Sequence, residues 1–124
     1  MKTILIKADQ TVFVREIEEF DELVKHFDGF PEFVYPRRLK STFCLVIDDM
    51  GLRKNLPCND LCSYLYESDK HGNIIAGDAF LMKKEVSDDG SYDIIGLNDR
   101  EVFWLLNTYN LQVSKNDSQE DENV

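Results

Sequence analysis

CLVIDDMGLRKNLPCNDLCSYLYESDKHGNIIAGDAFLM, residues 44–82, holds the elements around which the rest of the chain is expected to pack. The run at 42–47 (TFCLVI) is almost continuously apolar, the pattern of a strand covered on both faces, and it is the expected central strand. Asp48, Asp49, Met50 and Gly51 then read as a turn. Leu56, Pro57, Cys58 and Asn59 lead into a short helix at 60–67, with Asn59 as its N-cap, Pro57 fixing the incoming chain, and Leu61, Tyr64 and Leu65 along one side. Residues 68–73 form a polar loop ended by Gly72, with His71 exposed in it. After Gly77 a second strand at 78–86 starts apolar and finishes charged.

Working outward toward the N-terminus, 3–8 (TILIKA) and 11–17 (TVFVREI) are β-rich runs joined by a tight turn at Asp9 and Gln10. This hairpin is expected on a sheet with one face covered. Residues 18–27 place Phe20, Leu23, Val24 and Phe27 at helical spacing, with Glu18, Glu19, Asp21 and Glu22 in the first turn, where carboxylates complement the helix dipole, and Gly29 placed to end the helix. His26 falls at the edge of that stripe. A short strand at 32–35 is closed by Pro36 and followed by the basic Arg37, Arg38 and Lys40.

Toward the C-terminus, Ser87, Asp88, Asp89 and Gly90 turn the 78–86 strand back into 92–95, so these two pair antiparallel. Asn98 and Glu101 have the spacing of a capping box for a helix at 98–110 with Val102, Leu105, Leu106 and Tyr109 on its buried side. The expected fold is therefore a single α+β domain over 1–112, a mostly antiparallel sheet packed against about three helices near 19–27, 60–67 and 99–109. Residues 113–124, rich in Asp and Glu, read as a disordered acidic tail.

The composition suits that reading: 124 residues of which 43% are apolar fill one core, and no run is long and apolar enough to span a membrane. A cytoplasmic protein is expected. Its three cysteines (Cys44, Cys58, Cys62) are an odd number set in or beside apolar runs, which suits reduced, buried thiols better than disulfides. Cys58, Cys62 and His71 fall short of the four closely spaced ligands of a structural zinc site, and no cofactor is implied. With 14 basic against 24 acidic residues the net charge is −10, which opposes direct nucleic-acid binding. Isolated glycines make no phosphate loop, and His26 and His71 have no nucleophile at a motif spacing. The pairs Asp48-Asp49 and Asp88-Asp89 belong to turns. Nothing here specifies an enzyme.

The central stretch also resembles the family known as domain of unknown function 3846, small proteins of phages, plasmids and bacterial chromosomes. The strand before Gly51, the Leu56-Pro57-Cys58-Asn59 lead-in and the Ile75-Ala76-Gly77-Asp78-Ala79-Phe80 run carry the resemblance, with Leu97-Asn98-Asp99 opening the last helix. Family members often have a basic residue after the motif Asn, where this chain has Asp60. The resemblance implies an accessory gene of a mobile element and supplies no catalytic residue. By association, such genes encode inhibitors of host defence, including anti-CRISPR proteins. The first functional expectation is thus an inhibitor that binds a nucleic-acid-handling defence protein such as Cas9, using Glu16, Glu18, Glu19, Asp21 and Glu22 against a basic channel. The alternatives are a nucleotide-sequestering domain using Arg37, Arg38, Arg53 and Lys54, or an orphan structural or regulatory domain of a phage or plasmid. The oligomeric state is open.

Overall fold

The computed structural model describes residues 1–114. A six-stranded antiparallel sheet carries the chain, with strands β1 (Lys2–Ile6), β2 (Val12–Glu16), β3 (Pro31–Val34), β4 (Phe43–Asp48), β5 (Ala79–Val86) and β6 (Tyr92–Ile95). The helices are α1 (Asp21–Phe27), α2 (Asp60–Leu65), α3 (Ser68–His71) and α4 (Asp99–Thr108). The α+β reading holds, with one more helix than expected: α3 takes up 68–71 of the polar loop expected at 68–73.

The strand order is β2-β1-β5-β4-β3, and β6 also pairs with β5. The first half of β5 pairs with β1 (Leu5 opposite Phe80) and its second half with β6 (Glu85 opposite Asp93), while β4 runs along the other edge of β5 (Leu45 opposite Leu81). The organising strand is therefore β5, which meets three partners, although β4 is buried throughout, at 43–47 as its apolar run predicts and also at Asp48, which was expected in the turn and is held by Lys54.

Alternation along the strands divides the apolar residues between two faces. On one, Ile4, Ile6, Leu45, Ile47 and Leu81 pack with Cys62 and Leu65 of α2 and Val102 and Leu105 of α4. On the other, Leu5, Phe13, Cys44, Val46, Phe80 and Met82 pack with Leu23 and Phe27 of α1. The β1–β2 hairpin thus lies in a sheet covered on both faces, not one, because the chain crosses the sheet between α1 and the later helices. Its turn is as expected, with the Gln10 N–H donating to Lys7 O at 2.8 Å and Gln10 taking a φ of 74°.

Local differences have local causes. Helix α1 begins at Asp21 because the Glu22 carboxylate turns back and accepts the Glu18 and Glu19 N–H groups at 2.7 and 3.3 Å, which makes 18–20 a turn. It ends on Asp28, which adopts the left-handed conformation, one residue before the Gly29 expected to end the helix. In α2 the buried side is Cys62 and Leu65, with Leu61 at its margin, while Tyr64 is 60% exposed. Its ring is covered by the Arg38 guanidinium at 4.2 Å instead of by the core. Cys58 is exposed, in contrast to buried Cys44 and Cys62. Burial pushes the Cys44 thiol up to about 11 and that of Cys62 up as well, so neither is a ready nucleophile. The chain is held as far as Ser114, whose N–H donates to Val12 O at 2.7 Å on the β2 edge; the remainder of the expected tail lies outside the described residues. Among these, no helix is long and apolar enough to cross a membrane.

Candidate functional site

The resemblance motif builds the joint between sheet and helices. Asn59, fully buried, caps α2 by accepting the Cys62 N–H at 3.1 Å and donates from Nδ2 to Ile6 O at 2.9 Å and Gly77 O at 3.0 Å. One amide side chain thereby ties the end of β1, the turn before β5 and the first turn of α2. The backbone closes on the same point: Asn59 N–H donates to Ile75 O and Gly77 N–H to Pro57 O, both at 2.8 Å. Gly51 lies so close to the Ala76 carbonyl that a Cβ would sit 2.6 Å from its oxygen. Gly77 has a φ of +91° and would place a Cβ 2.8 Å from the Leu56 side chain. Gly51, Leu56, Pro57, Asn59 and Gly77 are thus brought together as a packing joint.

Asp78 turns from this joint toward α1. Its carboxylate meets His26 Nε2 at 2.9 Å and accepts the Ala8 N–H at 3.0 Å. Burial works against its ionised form, but the His26 hydrogen bond, the Ala8 N–H and the charges of His26 and Lys7 outweigh it and hold the carboxyl below its ordinary value of 3.8. The His26 ring sits edge-on to Phe80 at 5.0 Å, so it is oriented from both sides. Across a cleft of about 220 Å³ lined also by Leu56 and Pro57, Lys54 donates to buried Asp48 at 2.7 Å and to the Phe27 carbonyl at 2.7 Å. The polar side chains of this cleft pair two by two, His26 with Asp78 and Lys54 with Asp48, and the Lys54 bond to Phe27 also fastens the end of α1 to the β4 turn.

The acidic segment expected to form one helical surface is divided by the fold. Glu16 ends β2 and pairs with the N-terminal ammonium at 2.9 Å, and Glu22 serves the turn described above. Glu18, Glu19 and Asp21 project as an exposed acidic rim. Beside them is a feature the sequence did not single out. Helix α1 is short and covers only part of its side of the sheet, so Phe20, Phe33, Tyr92 and Ile94 line an open groove of about 390 Å³. Phe20 and Phe33 meet at 5.8 Å between ring centroids. The Tyr35 hydroxyl donates to that of Tyr92 at 3.3 Å, and Lys84 Nζ lies 4.9 and 5.3 Å from the centres of these two rings. Helical spacing had placed Phe20 on the α1 stripe, and nothing local in the sequence joins it to Phe33, Tyr92 or Ile94.

The four basic residues proposed for anion capture are not gathered. Arg38 is engaged with Glu67 at 3.7 Å, Asp69 at 3.6 Å and the Tyr64 carbonyl, and Lys54 with Asp48 and two carbonyls. Arg37 and Arg53 are exposed in separate loops.

These observations define a small α+β domain, its antiparallel sheet held between helices by a buried asparagine joint, with an aromatic groove and an acidic rim on one face. The chain belongs to the family described as Domain of unknown function (DUF3846), whose family model matches residues 1–108. No curated protein and no solved structure matches the chain.

Proposed function

We propose that this protein acts by binding another protein in the cytoplasm, through the face beside α1. The observation that carries the reading is the adjacency of two kinds of surface: the open groove of Phe20, Phe33, Tyr92 and Ile94, and the Glu18, Glu19 and Asp21 rim. Protein interfaces are rich in aromatic anchors set within a polar rim, and an uncovered cluster of this kind on a small domain marks a contact surface. The rim selects for a basic partner. Carboxylates steer toward lysine and arginine, and channels that hold nucleic acids are lined by them. Together with the mobile-element setting of the resemblance, this favours the nucleic-acid channel of a host-defence nuclease, a CRISPR-Cas9 effector being the leading case, with inhibition as the outcome.

Capture of a nucleotide by Arg37, Arg38, Arg53 and Lys54 has less support, because Arg38 and Lys54 already satisfy carboxylates and carbonyls. The test is titration of a purified Cas9 effector, with and without guide RNA, by calorimetry. A saturable complex is expected. The double variant Phe33→Ala/Tyr92→Ala, checked for an unchanged circular dichroism spectrum, should weaken it on the order of tenfold or more, the scale of truncating interface anchors. No complex, or a complex indifferent to the double variant, would remove the reading for this effector and this face respectively.

A further inference from the structure

The opposite side of the sheet carries a second cleft of different chemistry. Its volume is about 360 Å³, and Lys40, Thr42, Phe43, Lys83, Arg100, Glu101 and Trp104 form its walls. Trp104, the chain's one tryptophan, is 41% exposed and lies nearly parallel to Phe43, 22° between planes and 6.0 Å between centroids. Buried Phe43 backs the indole and holds its orientation.

Three cations stand round this ring system against one carboxylate. Glu101 is committed twice, accepting the Asn98 N–H at 2.9 Å in the capping box and pairing with Lys83 at 2.7 Å. Lys40 Nζ lies 5.7 Å from the indole centroid. Neither Lys40 nor Arg100 makes an ion pair among the described residues. In a chain of net charge −10, a cleft with a local excess of positive charge runs against the composition as a whole.

We propose that this cleft binds a single small nucleotide, the base stacking on Trp104 and the phosphate meeting Lys40 and Arg100. Stacking on an aromatic side chain contributes strongly to base binding and suits any base, while lysine and arginine supply the donors a phosphate requires. The volume lies in the range of small-ligand sites, about 300–1,000 Å³. A nucleic-acid strand is disfavoured as the occupant because its many phosphates would be opposed by a chain of net charge −10, whereas one nucleotide presents its charge to the cationic walls alone.

Trp104 is its own reporter. The fluorescence of the intact protein is followed as AMP, GMP and ATP are added, with adenosine, inorganic phosphate and a twelve-residue oligothymidylate as separate arms. Saturable quenching by at least one of the three nucleotides below about 1 mM, an affinity typical of a weak specific site, is expected, with weaker binding of adenosine and no quenching by phosphate alone. The variant Lys40→Gln/Arg100→Gln should lose affinity for that nucleotide on the order of tenfold, with thermal unfolding unchanged. Absence of saturable quenching by all three nucleotides, unaltered affinity in the double variant, or tighter binding of the oligothymidylate than of every mononucleotide would each overturn the proposal.

Discussion

At the scale of single residues, Asn59 and Asp78 show how one motif stretch divides its labour. Asn59 is buried with three side-chain hydrogen bonds, two of them to carbonyls of segments distant in sequence. Asn59→Ala would leave the Ile6 and Gly77 carbonyls short of a donor and α2 without its cap. A loss of about 2–4 kcal/mol is expected in urea denaturation, since stranding buried polar groups costs about 1–3 kcal/mol each. Asp78 contributes through its charge. Because its folded carboxyl is held below the ordinary 3.8, the stability it adds is present above that value and is lost as pH falls through the lower, folded value. Unfolding midpoints measured from pH 6 to pH 2.5 should therefore show Asp78→Asn below the parent at the upper end, with the gap closing below about pH 4. A gap that widened in acid would contradict the assignment. The Asn59 cap was legible in advance because a cap is local. Its bonds to Ile6 and Gly77 were not, since only the tertiary fold brings those carbonyls to it.

At the scale of elements, α1 and α4 cover opposite faces of one sheet, Leu23 lying in the cluster with Phe80 and Leu105 in the cluster with Leu81. Leu23→Ala and Leu105→Ala should each cost about 2–5 kcal/mol, the range for large-to-small core changes. As the two sites have separate neighbours, chemical denaturation of the double variant should give the sum to within about 0.5 kcal/mol. A single effect under about 0.5 kcal/mol would place that leucine at the surface. Asn98→Ala should cost about 1 kcal/mol through loss of the capping box. Periodicity revealed α4 almost to the residue because its cap and stripe are both local signals. It extended α1 too far because the Glu22 carboxylate competes for the Glu18 and Glu19 N–H groups, a choice that helical spacing does not register. It turned α2 toward Tyr64 because nothing in the spacing shows that Arg38, twenty-six residues earlier, covers that ring. Strand order was illegible for the same reason: the position of β5 among three partners depends on pairings far apart in sequence.

For the whole molecule, the sheet separates two surfaces of opposite character, an acidic aromatic face beside α1 and a cationic aromatic cleft beside α4. The Phe20–Phe33 and Tyr35–Tyr92 contacts join distant segments, so the groove emerges only when the strands are assembled, whereas the acidic segment next to it is a continuous sequence feature. The fold also determines how that segment should be probed. Reversing Glu22 would disturb the turn before α1, and reversing Glu16 would place a lysine against the N-terminal ammonium, so either change would confuse stability with binding. Glu18→Lys/Glu19→Lys/Asp21→Lys alters exposed carboxylates, and because Asp21 also lies in the first turn of α1, an unchanged unfolding midpoint is required of the variant before its binding is compared. Rim charges act mainly by steering the encounter, so if the chain binds a basic partner such as Cas9 as proposed, stopped-flow association should slow by on the order of tenfold at low salt in this triple variant. Its dependence on ionic strength should flatten, while dissociation changes far less because the aromatic anchors are intact. Association of the folded variant at the parent's rate across the salt series would show that the α1 rim does not steer this partner.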